Sequence, residues 1–383
     1  MRVSNERRVL LSVMHGQALP CQLTADEWST AVRAAVGGGI GQALLAAFGR
    51  QMPDEQREWL RVDVLMATAR HLKTRADLAT IGPVLDGAGV PWAVVKGPVL
   101  AEHWYAEHGS RSYGDLDLLV LGRGLRDVLD ALQGAGCRLL DTNWSLSLRQ
   151  RRAELTVMLP HGTPLDLHWH LLNNPEHRAQ FLLDIHQVLG RRQVVDVAGQ
   201  ACPTLDRVDT LLHLCLHTIL SGGRRLAWYV DLSEVLRGFD DWTELVARSQ
   251  AARADLLVAV ALDRVRRLTG ATVPDPVLRR LVAHGRAWFG AVRGLDALRP
   301  LGDPRVDRLT GQLVVRSTQR GTGGSLAAAF RTVRRDLWTP LFHEPRHPWL
   351  SRTLAAPKTQ SPLWSGAADP ADMQRYFQLA QVG

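Results

Sequence analysis

The stretch from Lys96 to Val120 constrains this chain more than any other. Val90 to Val95 is short and β-branched, and reads as a buried strand feeding Lys96-Gly97 into a helix that begins near Pro98. A loop containing Gly109, Ser110 and Arg111 follows, then Tyr113-Gly114-Asp115-Leu116-Asp117-Leu118-Leu119-Val120, whose last six residues read as a second strand. Side chains alternate along a strand, so Asp115 and Asp117 project from one face while Leu116 and Leu118 enter the other. Two carboxylates on one face repel unless a cation sits between them. Oxygen ligands suit Mg²⁺ or Mn²⁺ rather than Zn²⁺, with water and substrate phosphates completing the shell. An Asp-x-Asp alone is a weak signal, because solvated strand-end aspartates are common. Here the glycine turn before it, the apolar run after it and the strand-Gly-helix unit upstream turn it into a candidate divalent-metal claw.

A third carboxylate adds to this. Asp166 lies in Gly162-Thr163-Pro164-Leu165-Asp166-Leu167-His168-Trp169-His170, a polar and apolar alternation after a turn, with Ala153 to Leu159 as its hairpin partner. If Asp166 pairs beside Asp115 and Asp117, the three carboxylates converge on a two-metal site that binds a triphosphate and activates an attacking hydroxyl. His168 and His170 share the face of Asp166. Each reads either as a group that orients a carboxylate or touches substrate, or as a hydrogen-bonded framework residue.

Lys96 and Arg111 flank the aspartates. At a strand-to-helix turn, Lys96 and the nearby backbone N–H groups of Gly97 suit a triphosphate, since helix N-termini attract anions. Arg111 is a candidate for charge stabilisation during phosphoryl chemistry. Either could instead neutralise the carboxylate cluster.

Lys96-Gly97, a helix, Arg111-Ser-Tyr-Gly-Asp115-Leu-Asp117-Leu-Leu-Val, then Leu-Asp166-Leu-His168-Trp together resemble the uncharacterised nucleotidyltransferase family of the DNA polymerase beta-like superfamily. The resemblance runs from about Ala76 to about Leu236. It implies an α+β fold, a small mixed sheet flanked by helices, with three acidic metal ligands matching Asp115, Asp117 and Asp166. One departure stands out: Lys96-Gly97 replaces the Gly-Ser with which the superfamily holds the triphosphate. A weaker similarity continues through Arg225, Leu226, Trp228 and Asp231, which implies a helical lobe that closes over the nucleotide with Arg224 or Arg225 near phosphate.

The remainder organises around this centre. Residues 1–75 read as a helical region, with a capping box at Thr24-Ala-Asp-Glu27, a break at Gly37-Gly38-Gly39 and a helix from Pro53-Asp54. Another helix is expected from about Thr74 to Asp86. Residues 76–175 form the expected catalytic core. Residues 176–340 read as a C-terminal helical domain, with helices near Asp206 to Leu220, after Arg225, and at Leu256–Leu268, Val277–His284 and Leu326–Leu337. Residues 341–383 are a Pro- and Trp-rich tail with a short helix near Ala371 to Ala380. His213 and His217 are spaced as a metal pair, but no neighbouring ligand completes a site, so packing is the expectation.

Charge bears on partners. Lys plus Arg number 46 against 38 Asp plus Glu, a net charge of +8, with pI near 9.9. Nucleic acid, a polyphosphate or an anionic surface would each answer to that excess, although an Arg-rich composition alone also produces it. The basic residues form no dense run, which argues against a nucleic-acid tail. Cys21, Cys137, Cys202 and Cys215 are far apart with no Cys-x-x-Cys, which suggests a reducing cytosol. Neither a signal peptide nor a membrane-spanning run is expected, so the expected location is cytoplasmic with no membrane partner.

These readings converge on a metal-dependent enzyme that moves an NMP group from an NTP, ATP first among them, to an acceptor with release of pyrophosphate. Asp115, Asp117 and Asp166 are the catalytic and Mg²⁺ or Mn²⁺ residues; Lys96, Gly97, Arg111, His168 and Arg225 are the nucleotide-binding candidates. The resemblance admits a small metabolite, a peptide, a protein or tRNA as acceptor, since family members occur near bacterial peptide natural-product genes as well as alone. Two alternatives are a toxin-like enzyme modifying tRNA and a non-catalytic nucleotide-binding scaffold.

Overall fold

The computed structural model describes residues 5–19, 21–105, 111–223, 225–298, 361–365 and 369–382. Gly109, Ser110, Arg224, the helix expected over Leu326–Leu337 and the tail prolines 345, 348 and 357 lie outside them. The chain divides into two compact units, one from residues 1–65 and 211–354, the other from 66–210 and 355–383.

The first unit is helical. It contains α1 (Asn5–His15), α2 (Ala25–Gly38), α3 (Gly41–Phe48) and the start of α4 (Asp54–Gly87). The expected capping box is present, with the Thr24 side chain accepting from Glu27 N and the Glu27 carboxylate accepting from Thr24 N. The glycine run ends α2 at Gly39. Trp28, Val32, Leu44, Phe48 and Leu60 form one buried cluster there.

Helix α4 runs unbroken for 34 residues, where two helices were expected. The stretch Ala67 to Lys73 contains good helix formers and neither Gly nor Pro, so nothing in it stops propagation.

The second unit carries a seven-stranded mixed sheet in the order β3-β4-β5-β2-β1-β7-β6. The strands are β1 (Trp92–Val94), β2 (Leu116–Val120), β3 (Arg138–Leu139), β4 (Glu154–Met158), β5 (Pro164–His168), β6 (Gln193–Val197) and β7 (Gln200–Thr204). Its helices are α5 (Leu125–Gly134), α6 (Trp144–Gln150), α7 (Pro175–Gln180), α8 (Ile185–Gly190) and the first residues of α9 (Arg207–Leu220). The first unit resumes with the rest of α9, then α10 (Leu226–Leu236), α11 (Trp242–Ala251), α12 (Asp255–Thr269), α13 (Asp275–Leu281) and α14 (Arg286–Leu298). The chain beyond His170 is therefore not purely helical: the β6–β7 hairpin joins the sheet through the parallel pair of β7 with β1. Its signal is a two-residue turn, Ala198-Gly199, between two alternating segments, and both turn residues have positive φ.

Alternation sorts the sheet into two faces. Leu116, Leu118, Val120, Leu155, Val157, Leu165 and Leu167 pack against Leu78, Ile81 and Leu85 of α4 and against α5. Burying each such leucine contributes about 2 kcal/mol. On the other face Ala93, Val95 and Leu119 pack against Ile185, Val188 and Leu189 of α8. The acidic residues lie on this second face, beyond its apolar patch.

The C-terminal helix α15 (Pro370–Val382) belongs to the same core. Tyr376 is fully buried, and its hydroxyl accepts from Trp169 Nε1 at 3.2 Å. Phe377 packs against the Trp144 ring, tilted at 48° with centroids 5.6 Å apart. Gly122 makes the fit: a Cβ placed on it would lie 1.9 Å from the Ala380 carbonyl oxygen. Gly122→Ala is accordingly expected to displace α15 and destabilise this unit by about 1–3 kcal/mol. Calorimetry reads this directly, and an unchanged melting point would refute the docking of α15 on that turn.

Candidate functional site

The site begins with strand pairing. β2 and β5 run parallel with Asp117 opposite Asp166 and Leu119 opposite His168. β4 runs antiparallel to β5, with Thr156 opposite Asp166 and Glu154 opposite His168. Directly opposed residues share a face, so Asp117, Asp166, His168, Thr156 and Glu154 all point the same way. Asp77 of α4 fixes the β4–β5 turn that sets this register, accepting from His161 N at 2.7 Å and Thr163 N at 3.0 Å.

β1 delivers the lysine. It is antiparallel to β2, so its end at Val94 stands opposite Leu118, and Val95 N donates to Asp117 O at 3.1 Å. The next residue, Lys96, places its ammonium 3.0 Å from Asp117 Oδ1. Gly97 then turns with φ of +57°, and a Cβ there would stand 3.4 Å from the Asp115 carbonyl and 3.6 Å from the Tyr113 ring. Only glycine takes that conformation without strain. The expected helix begins at Pro98 and continues as a π-helical turn, Leu100–Trp104.

A buried side-chain chain holds the segment before β2. Nδ1 of His71 lies 2.8 Å from the Tyr113 hydroxyl and Nε2 lies 2.5 Å from Glu102 Oε1. Glu102 only accepts, so Nε2 carries a proton and, in the neutral ring, Nδ1 accepts from Tyr113. This ties α4, the π-helical turn and the approach to Asp115 together. The Arg111 guanidinium sits 5.8 Å from the Tyr113 ring centroid.

Electrostatics separates the two paired aspartates. Burial would raise Asp117, but Lys96 and the His168 hydrogen bond outweigh it and hold the carboxyl well below its usual range. Burial, Glu154, Asp115 and Asp117 push Asp166 up to about 7, against the pull of His168. Burial alone would lower Lys96, yet Asp117 and Asp115 raise it. His168 is likewise raised: the hydrogen bond to Asp117 and the Glu154, Asp117 and Asp166 charges overcome burial.

Among the described residues, Asp117, Asp166 and His168 bring ligand atoms within 4.8 Å of one another. Asp115 stands just ahead of β2, near enough for its charge to act on both Lys96 and Asp166. This surplus of negative charge around a carboxyl raised to about 7 is what a divalent cation relieves. The residues thus fit such a cation. His170 is a framework residue instead: its buried Nδ1 accepts from Leu172 N at 3.0 Å, and burial followed by Arg178 lowers it to about 4.

Arg225 belongs to the other unit. It precedes α10, with its guanidinium 6.0 Å from the Trp228 ring centroid. In that unit the His213 and His217 rings pack 6.1 Å apart.

Sequence reasoning missed Glu154, Thr156, His71 and Glu102. The first two were within reach, because a hairpin centred on residue 161 pairs 156 with 166 and 154 with 168. His71 and Glu102 gave no signal, since they meet only through tertiary packing.

Asp166 sets a pH dependence. A carboxyl raised from about 3.9 to about 7 stabilises the fold below the lower value and loses that contribution as pH rises to the upper one. In the metal-free protein the stability of wild type relative to Asp166→Asn is expected to fall across pH 4 to 7 and then level. Thermal melts over that range check it, and a difference constant with pH would count against the crowding of charge at Asp166.

A family model described as "Uncharacterised nucleotidyltransferase" matches residues 25–270, well over half the chain and more than the 76–236 expected from motifs. Neither the curated proteins nor the solved structures provide a match. Among the described residues no helix is long and apolar enough to cross a membrane.

Proposed function

The chain belongs to the uncharacterised nucleotidyltransferase family, and we propose that it transfers an NMP group from an NTP, ATP first among them, to an acceptor hydroxyl or similar nucleophile, releasing pyrophosphate. The observation that carries this reading is the Asp117–Asp166 pair, opposite each other on adjacent parallel strands with the Lys96 ammonium at the edge of the pair.

Each side chain has a part in an in-line displacement at the α-phosphorus. Asp115, Asp117 and Asp166 would hold Mg²⁺ or Mn²⁺. Bound there, a divalent ion neutralises triphosphate charge and favours ionisation of the acceptor. Lys96 and the backbone of Gly97 take the β- and γ-phosphates, the part for which the superfamily uses Gly-Ser. Arg111, carried beside Tyr113, supplies further positive charge to the phosphates. Asp166 would favour deprotonation of the acceptor hydroxyl, with its Oδ1 accepting from the Thr156 hydroxyl at 3.3 Å. A peptide, a protein or a small metabolite serves as acceptor, in the cytosol.

Thermal stability with each of ATP, GTP, CTP and UTP, with and without Mg²⁺, tests the reading. A nucleotide present at a hundred times its dissociation constant stabilises the native state by about 2.7 kcal/mol. The expected result is a metal-dependent rise with one nucleotide that the Asp115→Ala/Asp117→Ala double variant lacks. Pyrophosphate release by wild type, absent from the variant, then separates an enzyme from a scaffold. Absence of any shift at millimolar nucleotide would sink the proposal.

A further inference from the structure

His168 stands apart from the carboxylates in its chemistry. Its Nε2 lies 3.2 Å from Asp117 Oδ1, the oxygen that also meets Lys96, and one ring nitrogen joins ligand atoms of Asp117 and Asp166 that all lie within 4.8 Å of one another. Its other nitrogen, Nδ1, is buried and makes no hydrogen bond, although Glu154 Oε2 is only 3.5 Å away. Glu154 is itself held by Arg152 and sits opposite His168 in the β4–β5 ladder. An imidazole with one nitrogen among converging carboxylates and the other facing a carboxylate is the arrangement that metal-binding histidines adopt, because the outer carboxylate fixes the ring and raises the basicity of the inner nitrogen. Imidazole also discriminates among ions. It binds first-row transition ions well and Mg²⁺ poorly, whereas carboxylates accept both.

We infer that His168 is a metal ligand through Nε2, that Glu154 is the positioning residue holding its ring, and that together they make the site prefer a transition ion such as Mn²⁺ to Mg²⁺. This deepens the nucleotidyl-transfer reading and rests on it for the presence of a cation. Mn²⁺ is the transition ion that keeps the octahedral, oxygen-rich shell a triphosphate requires, so the preference stays compatible with the carboxylates around it.

The experiment uses the full chain and the ions alone, without nucleotide. Mn²⁺ binding is followed by the loss of the free-ion electron paramagnetic resonance signal, with Mg²⁺ added as competitor. Pulsed measurements then look for ¹⁴N coupling to the bound ion. Wild type is expected to bind Mn²⁺ about tenfold or more tighter than Mg²⁺ and to show the nitrogen coupling. His168→Asn is expected to lose the coupling and to bring the two affinities within about threefold of each other. Glu154→Gln is expected to keep the coupling while weakening Mn²⁺ about tenfold, the scale of an outer-shell partner.

Three results would overturn the assignment: no Mn²⁺ bound at millimolar concentration, no nitrogen coupling in wild type, or equal losses for both ions in His168→Asn. The last would make the imidazole a charge partner of Asp117 only. The wild-type spectrum decides the matter even where a variant does not fold. Nitrogen coupling without any nucleotide turnover would uphold the metal assignment and defeat the proposed reaction. Turnover by wild type without nitrogen coupling would uphold the reaction and defeat the metal assignment.

Discussion

Everything at the site depends on one register, that of β2 against β5. It sets Asp117 opposite Asp166, so two carboxylates are forced together at the same height in the sheet. A slip of one residue would turn Asp117 into the leucine core and Leu116 or Leu118 out of it, which the burial of those leucines forbids. The hydrophobic pattern thus fixes the acid pair as firmly as any polar contact does. The charge left over is compensated unevenly. Lys96 and His168 serve Asp117, while Asp166 remains crowded by Glu154 and Asp115.

The supports for this register come from distant segments. Asp77 holds the β4–β5 turn from α4, and α15 closes the core beneath β4, where the Tyr376 hydroxyl reaches the Glu154 carbonyl at 3.4 Å. Glu154 is therefore anchored at its backbone by the C-terminal helix and at its carboxylate by Arg152. The cost of assembling like charges is distributed over packing that a sheet of seven strands and its covering helices can supply. That coupling makes the end of the chain a part of the unit that holds the acids, although some 200 residues intervene in sequence.

The helical unit has its own buried ionic centre. Arg264 binds Asp296 through two contacts of 2.8 and 3.0 Å, and Arg267 joins Asp296 to Asp263 at 2.7 and 2.9 Å. Paired, fork-to-carboxylate geometry of this kind makes burial of such charges tolerable. It gives α12 and α14 a fixed mutual register, independent of the chemistry at the sheet.

The sequence by itself determined the local elements and the acids: the strand before Lys96, the Asp115–Asp117 spacing, the hairpin bearing Asp166, the break at Gly39, and the short helix near the C-terminus. These follow from period, turn chemistry and capping, which act over a few residues. Tertiary structure alone decided what meets what. It set Lys96 on Asp117, brought Glu154 and Thr156 to Asp166 and His168, joined His71 to Glu102 and Tyr113, and drew β6, β7 and α15 into the sheet and its core. It also made one helix of residues 54–87. Alternation tells which face a side chain takes but not which strand lies beside it, because neighbours are selected by the joint burial of apolar surface from segments far apart in the chain.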